Sequence, residues 1–190
     1  MTSEAYVFID GLEDSPIICG FFKLNPQTGR GEFNYGKSYL ARSDAFALDP
    51  LHLPLQPGIV SYSANKGVFG VLSDAGADSW GRKLILSLHN TKPKNELEFL
   101  LVGSGYGVGA LVFSLSRSAS KHKANKNTLA DLALLDQAKD DLLANKAISQ
   151  EAKKAFEFGQ SMGGARPKTS VKIDEKLYLA KFNRQDDLFN

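Results

Sequence analysis

Two short apolar runs and one alternating stretch, bounded by turn residues, mark strands along the first forty residues. Apolar runs cover Tyr6–Ile9 and Ile17–Leu24, and Phe33 and Tyr35 share one face of Glu32–Tyr35. Asp10-Gly11 and the stretch from Asn25 to Gly31 supply turn residues between them. The pattern predicts an antiparallel meander with short loops, with Tyr39-Leu40 as its candidate extension. Pro50, Pro54 and Pro57 then break the chain into irregular connections around Leu51, Leu53 and Leu55. The aromatic residues of this region read as core.

The period then lengthens to that of a helix. Trp80, Leu84 and Leu88 stand at i, i+4 and i+8, Ile85 widens their face, and Asp78 or Ser79 is placed to cap the helix. Trp80 is expected to anchor this helix to the meander. Asn95 caps a second helix through Val102, with Gly103 as its stop. Gly103, Gly105, Gly107 and Gly109 alternate too tightly for a dinucleotide loop, so they read as a turn into a strand over Ala110–Leu115. Arg117 to Asn127 holds no apolar side chain larger than alanine and reads as an exposed linker. Thr128 and Ser149 cap two further helices, from Leu129 and over Gln150–Phe158. A hairpin follows, Thr169–Ile173 and Leu177–Phe182 around Asp174-Glu175. The expectation is an α+β chain: an antiparallel β-rich module over 1–116, a linker over 117–127, and helices with a hairpin over 128–190, the two halves sharing a core.

Composition narrows the function classes. With 43% hydrophobic and 23% charged residues and a net charge of +2, the 190-residue chain has the make-up of a soluble globular protein without strong polyanion affinity. No nucleic-acid or membrane partner is expected. One cysteine, Cys19, and three scattered histidines give no zinc spacing and no intrachain disulfide. No signal pattern or membrane-length apolar run occurs, and a cytoplasmic location is expected.

The candidate chemistry lies in Ser161-Met162-Gly163-Gly164-Ala165-Arg166-Pro167-Lys168-Thr169. Adjacent glycines let a loop turn several N–H groups toward one anion, and Arg166 and Lys168 add positive charge. Lys181 follows inside an otherwise apolar strand. Leu177 and Leu179 share its face, and Tyr178, Ala180 and Phe182 form the other. That strand is expected to be buried on both sides, where an ammonium needs an anionic partner. Gly-Gly also serves ordinary turns, and a strand-end lysine can snorkel into water. The order of loop, strand, turn, strand and lysine is how kinase-like folds hold a nucleotide.

The segment from Ser161 to Lys181 resembles the glycine-rich loop and nucleotide-binding lysine of HipA-type serine/threonine kinases, the toxins of bacterial toxin–antitoxin pairs. Asp78-Ser79-Trp80-Gly81-Arg82-Lys83 is similar to that family's Asp-x-Trp-Gly-Arg block, and Gly107 to Phe113 to its Gly-Ala-Leu-x-Phe strand. The resemblance implies ATP and Mg as cofactors of the intact parent. It places Gly163, Gly164, Ala165, Arg166, Pro167, Lys168 and Lys181 at the nucleotide, and it makes Ser161 a self-phosphorylated serine. It also implies a protein substrate for the parent and a DNA-binding, HipB-like antitoxin as partner. Only nine residues follow Lys181, and none matches the family's catalytic loop, so the catalytic aspartates and the kinase C-lobe are expected to be missing and the chain alone inactive. The alternative is a non-catalytic module that binds an antitoxin or a separate kinase subunit.

Overall fold

The computed structural model describes residues 2–103, 109–120, 127–156, 164–174 and 176–183. Among these the chain is mixed α+β, with a five-stranded antiparallel sheet, six α-helices and a two-stranded hairpin. It divides into two compact units, Met1–Gly76 with Pro93–His122, and Ala77–Lys92 with Lys123–Asn190.

The first unit is the predicted meander with two additions. Strands β1 (Glu4–Ile9), β2 (Ile17–Asn25) and β3 (Arg30–Tyr35) pair in succession, and β2 and β1 shift register between Val7 and Phe8. The β2–β3 turn closes on Asn25, whose Oδ1 accepts from the Gln27 and Thr28 amides at 3.0 and 3.2 Å. β4 (Ile59–Tyr62) joins the β3 edge, and β5 (Leu111–Ser114) joins the β1 edge, giving the order β4-β3-β2-β1-β5. Tyr39-Leu40 does not extend the sheet. It lies in a one-turn helix, α1 (Lys37–Leu40), where Tyr39 is buried and stacks on Tyr35.

Two buried tyrosines pin the proline-broken segment that follows. The Tyr35 hydroxyl donates to the Leu53 carbonyl and accepts from the Leu48 amide, both at 2.8 Å, and the Tyr39 hydroxyl donates to the Phe46 carbonyl at 3.0 Å. One sheet face carries Val7, Phe22, Leu24, Phe33 and Tyr35 into a core shared with Leu72 of α2 (Gly70–Asp74) and Leu97 and Leu100 of α4 (Glu96–Gly103). Cys19 lies in this core, and burial pushes its thiol up to about 12.

The second unit has a core of its own, where one core common to both halves was expected. Trp80 and Leu84 of α3 (Ser79–Leu88) pack with Leu135, Ala138 and Leu142 of α5 (Asp131–Leu143), with Ala152 and Phe156 of α6 (Gln150–Phe156), and with Phe182. Trp80 meets Phe156 edge-on at 5.9 Å, which corrects the expectation that Trp80 anchors α3 to the meander. An apolar stripe fixes which helix face is buried; it does not say against what. Three of the predicted caps hold: Asp78 Oδ1 accepts from the Gly81 amide at 2.9 Å, Asn95 Oδ1 from the Glu98 amide at 2.9 Å, and Ser149 Oγ from the Ala152 amide at 3.1 Å. At α5 the direction is reversed: Asp131 Oδ2 accepts from both the amide and the hydroxyl of Thr128.

Of the predicted linker, residues 121–126 lie outside the described residues. Its last residue departs from expectation. Asn127 is buried, and its Nδ2 donates to the Ala155 carbonyl at 2.8 Å and to Thr169 Oγ1 at 3.1 Å. Its own carbonyl accepts from the Lys172 amide at 2.7 Å.

Candidate functional site: a glycine turn between two lysines

The hairpin pairs β6 (Lys168–Ile173) with β7 (Lys176–Lys181), and Asp174 makes the turn with a positive φ of 45°. Its register sets Lys168 opposite Lys181. Cross-strand partners share a face and interact, so two cationic residues stand side by side where the glycine turn enters the sheet. The chain is tied there twice, by the Phe182 amide on the Pro167 carbonyl at 2.9 Å and by the Trp80 indole N–H on the Lys168 carbonyl at 3.2 Å.

The two lysines differ in environment, and the difference reverses the sequence-based expectation. Lys181 is exposed, as are Leu177, Tyr178 and Leu179 of the same strand. A strand apolar on both faces was expected to be buried on both; in a two-stranded hairpin β7 is an edge, and only β6 is covered. The buried ammonium is that of Lys168, whose residue is 3% exposed. Its Nζ donates to the Gly164 carbonyl at 2.6 Å and lies 3.7 Å from Asp78 Oδ2. Burial pushes the Lys168 ammonium below the ordinary lysine range, the Asp78 carboxylate pulls it back up, and the Lys181 charge adds to the lowering.

Gly164 is required by this closure. Its φ is +87°, and a Cβ there would stand 3.0 Å from Lys168 Nζ, so a side chain would be strained by backbone and neighbour together. Ala165 and Arg166 are exposed, and Pro167 is buried. Ser161 and Gly163, named with the loop, lie outside the described residues.

Two contributors read from the sequence as something other than site residues, Asp78 as a cap and Lys139 as part of an outer helix face. Asp78 reads as a helix cap, yet its second oxygen faces Lys168. Lys139, 5% exposed on α5, donates to Asp136 Oδ1 at 2.9 Å and to the Asn183 carbonyl at 2.8 Å, which fixes the chain just beyond β7. Among the described residues no group of three or more His, Cys, Asp and Glu side chains stands together to hold a metal ion. The polar groups present do suit an anion: an exposed ammonium, a buried one beside it, and a glycine turn.

The architecture is that of a β-rich module in one chain with a helix-backed hairpin that presents a basic glycine turn. The family model of the HipA N-terminal domain matches residues 19–114, and the chain belongs to that family. The match takes in the Asp78–Lys83 and Gly107–Phe113 blocks and ends before the glycine turn. A comparison with curated proteins found no match. Among the described residues no helix is long and apolar enough to cross a membrane.

Proposed function

We propose that the chain is the N-terminal part of a HipA-like serine/threonine kinase of the toxin–antitoxin type, acting in the cytoplasm, and that its glycine turn and lysine pair form the phosphate-facing side of an ATP site. The observation that carries this reading is the register of Lys168 and Lys181. Like charges directly opposite are destabilising, and an anion placed against the pair removes that repulsion. Lys181, exposed at the end of β7, is the residue to meet the phosphates; Lys168 sets the shape of the turn from beneath; Gly164, Ala165 and Arg166 are the exposed part of the cover. Bound ATP would supply the phosphoryl group, and the protein's contribution in such chemistry is positioning and charge stabilisation.

The acceptor is a protein serine or threonine, and the partner is a DNA-binding antitoxin. In kinases of this kind an aspartate takes the substrate proton and another holds magnesium, and neither role is assigned to a residue of these 190. The chain by itself is therefore expected to transfer no phosphate. Ser161, eight residues after Lys153 and five before Arg166, is the proposed phosphorylation site of the working kinase, where a phosphate would bring about −2 charge beside the basic turn.

The test is incubation with magnesium, γ-labelled ATP and a generic protein substrate. No label should appear with the chain alone. Transfer should appear when the C-terminal lobe of a HipA-like kinase is added in trans, and it should be lost with Lys181→Ala. If the added lobe restores nothing while the chain still binds it, the chain is an interaction module and the kinase reading fails.

A further inference from the structure

The Asp78 carboxylate has two oxygens with separate occupations. Oδ1 caps α3 through the Gly81 amide at 2.9 Å. Oδ2 is buried and accepts no hydrogen bond from the described residues, and it lies 3.7 Å from Lys168 Nζ. A helix cap needs only one acceptor, and asparagine or serine caps as well as aspartate. The second oxygen is thus surplus to capping, and a buried oxygen with no donor is kept only at a cost. The group it faces is the ammonium that holds the Gly164 carbonyl at 2.6 Å. A buried ammonium without a counter-charge is strongly unfavourable, and among the described residues the Asp78 carboxylate supplies one beside the Lys168–Gly164 contact.

We propose that Asp78 is a positioning residue for the glycine turn: its charge keeps the Lys168 ammonium beneath the turn, against the Gly164 carbonyl, and so holds the turn open toward Lys181. The Asp-x-Trp-Gly segment then fastens the turn at two points. Asp78 fixes the Lys168 side chain, and the indole of Trp80, two residues on, fixes the Lys168 carbonyl at 3.2 Å. Both attachments come from the first turn of α3, so the helix end and the start of β6 move as one piece. The proposal rests on the nucleotide reading for its purpose, though not for its geometry.

The deciding variant in the full chain is Asp78→Asn, which keeps an oxygen for the Gly81 amide and removes the charge. A capping role alone predicts no change. Positioning predicts that Lys168 leaves the turn. Its acetylation by a water-soluble active ester, measured by mass spectrometry, should rise toward that of exposed Lys176 as the amine gains access to solvent. The Gly164 and Ala165 amide resonances should shift, and the same substitution in a Lys168→Met background should shift them no further. Unchanged Lys168 reactivity and unchanged turn resonances in a folded Asp78→Asn protein would overturn the proposal. Adding Mg-ATP to the wild type separates the two readings. Resonances that respond to Asp78→Asn and ignore ATP uphold the positioning role and remove the nucleotide. Resonances that respond to ATP and ignore Asp78→Asn uphold the nucleotide and remove the positioning role.

Discussion

Replacing Trp80 by phenylalanine perturbs the core of the second unit. The indole N–H is a buried donor to the Lys168 carbonyl at 3.2 Å, and the ring fills the space against Phe156. Phenylalanine keeps an aromatic contact and loses the donor. A buried carbonyl deprived of its partner costs about 1–3 kcal/mol, and the smaller ring leaves a void worth about 1 kcal/mol more. The sum, about 2–4 kcal/mol, raises the opening equilibrium of the second unit roughly 30- to 1,000-fold at about 1.4 kcal/mol per tenfold. Hydrogen exchange followed by mass spectrometry resolves this by peptide. Exchange should accelerate in peptides from α3, α5 and β6, and it should stay as it was in β1 to β3, whose buried residues belong to the other cluster. Equal acceleration in both units, or none in the second, would refute the assignment of Trp80 to the second core.

Two predictions concern the first unit. Cys19 is fully buried with its thiol raised to about 12 by burial. The reactive species is the thiolate, so a disulfide reagent at neutral pH should label it only at the rate of unfolding; fast labelling of native protein contradicts this. Glu98 is raised by burial, and the backbone N–H groups of Lys94 and Thr2 then pull its carboxyl below the ordinary range. A carboxylate with a depressed folded pKa contributes stability above its unfolded value, near ~4.3, and loses it as pH falls through the folded one. Thermal melts should show Glu98→Gln destabilised by about 1–2 kcal/mol at about pH 7, with the gap to wild type closing below about pH 4; a gap independent of pH contradicts the assignment.

What could be read from the sequence follows from how local each signal is. β1 and β2 were legible as short apolar runs between turn residues and β3 by its alternation, signals that act over a few positions, and Asp78, Asn95 and Ser149 were legible because caps act over three. β4 was not: Ile59–Tyr62 is four residues long, follows Pro57-Gly58 and leaves Ile59 66% exposed, so it shows no buried face to recognise. Tyr39 was misassigned because an isolated aromatic next to a strand looks the same whether the chain continues extended or turns once. The largest miss lies at the site. Apolar residues on both faces of Leu177–Phe182 pointed to a buried strand and a buried Lys181, yet burial depends on neighbours, and the hairpin has only two strands. The charge that is buried, Lys168, meets its counter-charge on Asp78, and the Trp80 tie to its carbonyl spans 88 residues. No local pattern encodes that distance.

Isothermal titration of the full chain with Mg-ATP, beside its Lys181→Ala variant, tests the central claim most directly. With one open side the site buries less of the ligand than the ~70–90% of a closed pocket, so the expected result is weak, saturable one-site binding. Affinity should fall about tenfold in the variant, the loss of one charge-assisted contact worth roughly 1.4 kcal/mol. No saturable heat at millimolar ATP, or the same affinity with and without the Lys181 ammonium, would contradict the assignment of the glycine turn and its lysine pair to a nucleotide.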